Sequence, residues 1–133
     1  LSAQTDKLSR RLKAIPKAVK RAVVPALQKS GNELVGAMRA LAPVDSGDLK
    51  HSIKYTMPGN STPPYSQPGG SRVAAENEVL VTAGNTDVRY PHLVEYGTRD
   101  APAQPYFWPA FRLKRKKLAT RIKRAISKAV REA

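Results

Sequence analysis

Residues 106–133 read Tyr106-Phe107-Trp108-Pro109-Ala110-Phe111, followed by RLKRKKLATRIKRAISKAVREA. Phe107, Phe111, Leu118, Ile122, Ala125, Ile126 and Ala129 recur at helical spacing, and basic residues fill most positions between them. The pattern predicts one amphipathic helix that starts near Tyr106 and runs almost to Ala133, about 40 Å long. A helix with one apolar stripe needs another layer to cover it.

Working back along the chain, Thr98 to Pro105 carries Pro102 and Pro105 and reads as a stiff connector that launches this helix at a fixed angle. Tyr90 to Gly97 reads as one or two helical turns stopped by Gly97. Val79 to Ala83 reads as a strand with turn chemistry at Gly84-Asn85, and Arg72 to Ala75 as a short strand pairing with it. Residues 58–71 form a loop punctuated by Pro58-Gly59, Pro63-Pro64 and Pro68-Gly69-Gly70. A loop of that length in a small domain is expected to be ordered by contacts between subunits or with a neighbouring protein. His51 to Met57 reads as a strand with Ile53 and Tyr55 on one side.

Upstream, Pro43 stops a helix at about Ala42, and Asp45 or Ser46 caps a short turn through Asp48-Leu49-Lys50. Val19, Ala22, Val23, Ala26, Leu27, Leu34, Met38 and Leu41 mark that helix, with a kink expected at Pro25. Gly31 and Gly36 weaken it but permit close packing. Leu8, Leu12 and Ile15 mark an earlier helical segment ending near Pro16. The fold class is therefore α+β. Kinked N-terminal helices and a long C-terminal helix pack on a small antiparallel sheet, in a single domain over residues 1–133.

The chain has 133 residues and a formal charge of +14. Cysteine is absent, which excludes disulfide staples, thiolate catalysis and zinc–thiolate sites. No apolar run is long enough to cross a bilayer, and the first residues lack the apolar core of a signal peptide. No membrane role is expected. Ten cations lie between Leu1 and Lys50 and ten more between Arg112 and Arg131, the latter with no acid among them. The centre, residues 51–111, is near neutral. Basic ends of this kind point to phosphate or to an acidic protein surface. Arg112, Lys116, Lys123, Arg124 and Arg131 are the candidate basic face.

Three motifs invite a functional reading. In Ala42–Ile53, Gly47 allows a backbone geometry that a side chain would resist. This stretch reads as a capped turn that folding needs, or as a contact between neighbouring subunits. Glu95 beside Tyr96 suggests acid–base chemistry, yet the nearest titratable partner is His92. A metal at His92 and Glu95 would need further ligands, which only His51, Asp45, Asp48 and Asp87 could supply, so no metal or cofactor is expected. Glu95 reads instead as a partly buried carboxylate held by backbone amides or an arginine. Phe107 and Phe111 read as core, with Trp108 either core or interface. No phosphate cradle, nucleophile elbow or zinc-protease motif occurs, so no enzymatic activity is expected.

Two stretches carry a resemblance. Ala42-Pro43-Val44-Asp45-Ser46-Gly47-Asp48-Leu49, ending in Ser52-Ile53, is similar to one signature of the head–tail joining or tail-completion proteins of long-tailed bacteriophages. Tyr90 through Gly97-Thr98, then Pro102-Ala103-Gln104-Pro105-Tyr106-Phe107 and Pro109-Ala110, resembles the other, in the same order and spacing. The resemblance implies a structural ring subunit of the virion neck, assembled in the host cytoplasm, with a hexamer expected by analogy. It implies adjacent connector, tail-tube or terminator proteins as partners, and genomic DNA passing through without sequence preference. Pro43, Asp45, Gly47, Glu95, Tyr96, Gly97 and Trp108 are the interface candidates. The alternative from another class is a free, sequence-independent nucleic-acid-binding module.

Overall fold

The computed structural model describes residues 17–43 and 47–132. The expected helix through Leu8, Leu12 and Ile15, and the candidates Asp45 and Ser46, lie outside the described residues. Helix α1 (Lys17–Leu41) buries Val19, Val23, Leu27, Leu34, Val35 and Met38, a stripe at three- and four-residue spacing. It continues through Pro25 without a break. Pro25 is exposed, as is Arg21, whose carbonyl loses the amide that proline lacks, so water can take that carbonyl. Ala22 and Leu41, expected on the stripe, are exposed.

Helix α2 (Gly47–Ser52) is followed by strand β1 (Lys54–Thr56), which pairs antiparallel with β2 (Leu80–Thr82), Tyr55 opposite Val81. The sequence placed the first strand from His51 to Met57, but His51 and Ser52 belong to the helix. Ser52 explains why. Its hydroxyl donates to the Leu49 carbonyl at 2.7 Å and accepts the Gly84 amide at 3.0 Å, so it joins the helix end to the turn after β2. Gly47 also departs from expectation. It is helical and exposed, with open space where a Cβ would stand, so nothing in its backbone requires glycine.

Residues 58–74 are held within the subunit, which corrects the expectation that the loop needs a partner to order it. Ser61 bridges Val73, so Arg72–Ala75 pairs with the loop rather than with β2. Thr62 is the centre of this ladder. Its amide donates to Arg72 at 2.8 Å, and its hydroxyl accepts the Arg72 amide at 2.8 Å. The chain then reaches Gln67, which exchanges two backbone hydrogen bonds with Ala83 and extends the sheet by one position. A turn at Ala75–Glu78, with Asn77 at φ 58°, separates the ladder from β2.

After α3 (Pro91–Tyr96) the chain enters α4 (Phe107–Glu132), which packs antiparallel on α1. One cluster joins Leu34, Val35 and Met38 to Phe107, Ala110 and Leu118, with Leu49, Ile53 and Tyr106. The second joins Val19, Val23 and Leu27 to Ala129, flanked by Ile122 and Ile126. The long helix and its stripe agree with the sequence reading except at Phe111, which is 37% exposed. Ala110 occupies the core position there, and Phe111 stacks edge-on against Trp108 with centroids 5.9 Å apart.

The two glycines of α1 differ in what a methyl group would meet. At Gly31 a Cβ would lie 2.9 Å from the Tyr55 ring; at Gly36 it would meet nothing within 4 Å. Either Gly→Ala change should gain roughly 0.5–1 kcal/mol of helix propensity. Overpacking against Tyr55 costs about 1–3 kcal/mol. Gly36→Ala should therefore raise the urea midpoint and Gly31→Ala should lower it, at unchanged slope. A stabilising Gly31→Ala would refute the close packing of β1 on α1.

Candidate functional site

An α-helix leaves its first amides without intrahelical partners. In α4 these amides belong to Tyr106, Phe107 and Trp108, because Pro109 has none to offer. All three point to one carboxylate. Glu95 Oε1 accepts the Tyr106 amide at 2.9 Å and the Phe107 amide at 2.8 Å, and Oε2 accepts the Trp108 amide at 3.2 Å. Glu95 is 7% exposed and adds a full negative charge to the positive end of the helix dipole. The sequence reading of a carboxylate held by backbone amides therefore stands. His92, by contrast, is exposed and makes no hydrogen bond to Glu95, although both line a small pocket with Pro91, Tyr106 and Trp108.

Glu95 is presented by the second turn of α3. Pro91 opens that helix and Gly97 closes it with φ 77°, a conformation that favours glycine. A Cβ on Gly97 would also stand 2.7 Å from the Ala103 amide nitrogen. The glycine lets the proline connector fold back over α3. The Gln104 amide donates to the Val94 carbonyl at 2.8 Å, and the Thr98 amide to Ala101 at 2.8 Å. Tyr106 is fully buried and its hydroxyl donates to the Pro91 carbonyl at 3.3 Å. Burial, helped by the charge of Glu95, raises the Tyr106 hydroxyl above its ordinary range. Trp108 Nε1 donates to the Tyr96 hydroxyl at 2.8 Å, and Tyr96 remains 68% exposed.

Four interface candidates, Glu95, Tyr96, Gly97 and Trp108, thus meet in one constellation. Among the described residues no hydrogen bond joins Pro43 or Gly47 to it. The bond from Tyr106 to Pro91 spans fifteen residues and has no local signal in the sequence.

The basic candidates are arranged by the helix. Arg112, Lys116 and Lys123 fall within ~40° of one another around α4, and Arg124 with Arg131 forms a second row ~100° away. All five are exposed. A shallow groove lined by Thr120, Lys123, Arg124, Ser127, Lys128 and Arg131 runs between the rows. Lys117 and Arg121 behave differently. They hold the two oxygens of Glu33 on α1, at 2.9 and 3.0 Å. Their hydrogen bonds pull the Glu33 carboxyl from its ordinary 4.5 down to about 2. Apolar periodicity does not reveal this clamp; its one signal in the sequence is that Glu33 is the lone acid between Lys7 and Val44.

No group of three or more potential metal ligands gathers among the described residues, and no described helix is long and apolar enough to cross a membrane. Comparison with known proteins supplies one match. A family described as "Bacteriophage HK97-gp10, putative tail-component" matches residues 6–97, more than half of the chain. Neither a curated protein nor a solved structure matches.

Removing the Glu95 carboxylate should cost roughly 2–4 kcal/mol, because it strands three amides at a largely buried helix start. Glu95→Ala should lower the urea midpoint accordingly, with Glu95→Gln intermediate. A loss near zero would show that the helix start finds other partners. For Glu33 the sign follows from its lowered value. Its contribution is full above 4.5 and disappears as pH falls through about 2. The stability difference between wild type and Glu33→Gln should therefore be largest near neutrality and shrink across that window.

Proposed function

The chain belongs to the HK97-gp10-like family of bacteriophage tail components, and from that premise we propose that it is a subunit of a ring at the head–tail joint, through which the genome passes. The role is structural rather than catalytic. The observation that carries this reading is the charge of α4. Ten cations lie between Arg112 and Arg131, and among the described residues only Lys117 and Arg121 meet a carboxylate. The other eight repel one another with nothing to offset them in the subunit. A polyanion that passes close by supplies that offset without needing base contacts, as a DNA conduit requires. Arg112 and Arg131 are separated by roughly 28 Å along the helix, enough to follow several phosphates.

The family match covers the near-neutral middle of the chain, which a free nucleic-acid-binding module would not require. The same outer face would also suit an acidic neighbour in the neck, so the test must separate the two partners.

Isolated protein should bind duplexes of any sequence, with affinity falling steeply as salt rises. Reversing Arg112, Lys123 and Arg131 together should flatten the salt dependence by roughly 2–3 in log–log slope. Weak duplex binding by the wild type, combined with separate heads and tails from the triple reversal, would assign the face to an acidic protein instead. If the reversal alters neither, the face is merely solvated. Averaged images of the particle should show rotational symmetry at this position, with six the expected count. A single copy there would overturn the ring.

A further inference from the structure

A groove of about 520 Å³ lies between α1, β2 and α4. Around α4 it is centred roughly 90° from the row of Arg112, Lys116 and Lys123 and opposite Arg124 and Arg131. Its walls are mostly apolar and include Leu34, Val81, Trp108, Phe111 and Ile122. Its charged lining residues are Arg72 and Arg115; no acid lines it. Arg115 has no carboxylate partner among the described residues. Arg72 reaches Glu78 only at 3.8 Å.

Two polar features face this apolar space. Ser30 lines the groove at 2% exposure, and its hydroxyl has no hydrogen-bond partner. Leaving a buried hydroxyl unmet is costly, so the site is incomplete as it stands. The second feature is the outer edge of β2. Ala83 exchanges both its backbone bonds with Gln67 on that edge. Backbone groups alternate along a strand, so Val81, two residues back, turns its amide and carbonyl the same way. The covering chain has left by then, turning at Gly69 with φ 85°. Among the described residues no partner meets Val81 on that side.

We propose that this groove seats an extended segment of a neighbouring virion protein that carries apolar side chains and carboxylates at every second position, on the one face turned to the groove. The segment would add to the Val81 edge, as strands do when they extend a sheet. Its apolar side chains would fill the space over Leu34 and Phe111, and its carboxylates would meet Arg72 and Arg115. The charge of the groove selects the partner. A second copy of this +14 chain would bring mostly like charge, whereas an acidic segment is complementary. Phe111 and Trp108, both partly exposed, line this groove. The inference rests on family membership, not on the DNA reading, and the two can fail separately.

Trp108 is the only tryptophan in the chain and lines the groove, so its fluorescence reports occupancy. The probe is a short acetylated peptide with leucine and aspartate in turn at every second position and serine between them, titrated into the full chain at about 0.15 M salt to screen loose charge attraction. A saturable blue shift is expected. Ala119 is exposed at the groove wall, so Ala119→Glu should keep the fold, checked by circular dichroism, yet weaken the peptide by about tenfold or more. Arg115→Glu should do the same. Equal binding of the same peptide with each leucine replaced by serine would reduce the effect to net charge and overturn the proposal. Equal binding of the same peptide with each aspartate replaced by lysine, or unchanged affinity in Ala119→Glu, would also overturn it. So would self-association of the chain alone that Ala119→Glu abolishes, because the occupant would then be a second copy.

Discussion

Most of the architecture hangs on one carboxylate. Glu95 takes the three free amides at the start of α4, and Pro109 supplies no fourth that would need a partner. A helix start in the protein interior is tolerable only when these groups are satisfied. Here the acceptor comes not from the residue just before the helix but from α3, eleven residues upstream of Tyr106. That distance turns a local cap into a tertiary constraint. It fixes α3, the proline connector and the first turn of α4 as one unit, with Gly97 permitting the close return. The direction in which the long helix leaves is therefore set at Glu95, before any contact with α1 is made.

How much of this was legible follows from the range of each signal. The long helix and its stripe were readable because the periodicity runs over seven turns. Glu95 held by amides was readable as a class of interaction, because a lone carboxylate without a titratable partner has few other outcomes. Which amides it takes was not readable, since that depends on the path of the connector. The short elements failed for the same reason. His51 and Ser52 alternate well enough for a strand, but Ser52 bonds to Leu49 and Gly84, a contact 32 residues away that no local pattern displays. Phe111 fits the stripe by spacing yet stands at the open groove, where there is no opposing layer. Loop 58–71 looked partner-dependent because its composition is that of a linker, while the bonds that hold it come from Arg72, Ala74 and Ala83.

The pairing of Glu33 with Lys117 and Arg121 is placed where the two helices most need it. Both helices are basic, and bringing them together antiparallel raises their mutual repulsion. One acid facing two cations lowers that cost at the contact itself. Exposed ion pairs add little stability individually, so the clamp matters more for register than for strength. It fixes which cations turn inward toward α1 and leaves the rows of Arg112, Lys116 and Lys123, and of Arg124 and Arg131, turned outward.

The result is a helix whose faces are committed to different tasks by the same few contacts. The Glu95 cap sets its direction, the two apolar clusters set its separation from α1, and the Glu33 clamp sets its rotation. Once rotation is fixed, the groove beside Phe111 and the cationic rows cannot trade places. A protein segment seated in the groove and a polyanion along the outer face would then touch α4 on separate sides. Neither would have to displace the other, nor move any residue that the core already holds. The ring role proposed above, with a lasting neighbour and a passing polyanion, would call for that separation. A single rigid helix meets the requirement more simply than two loops could, because its rotation alone determines both surfaces.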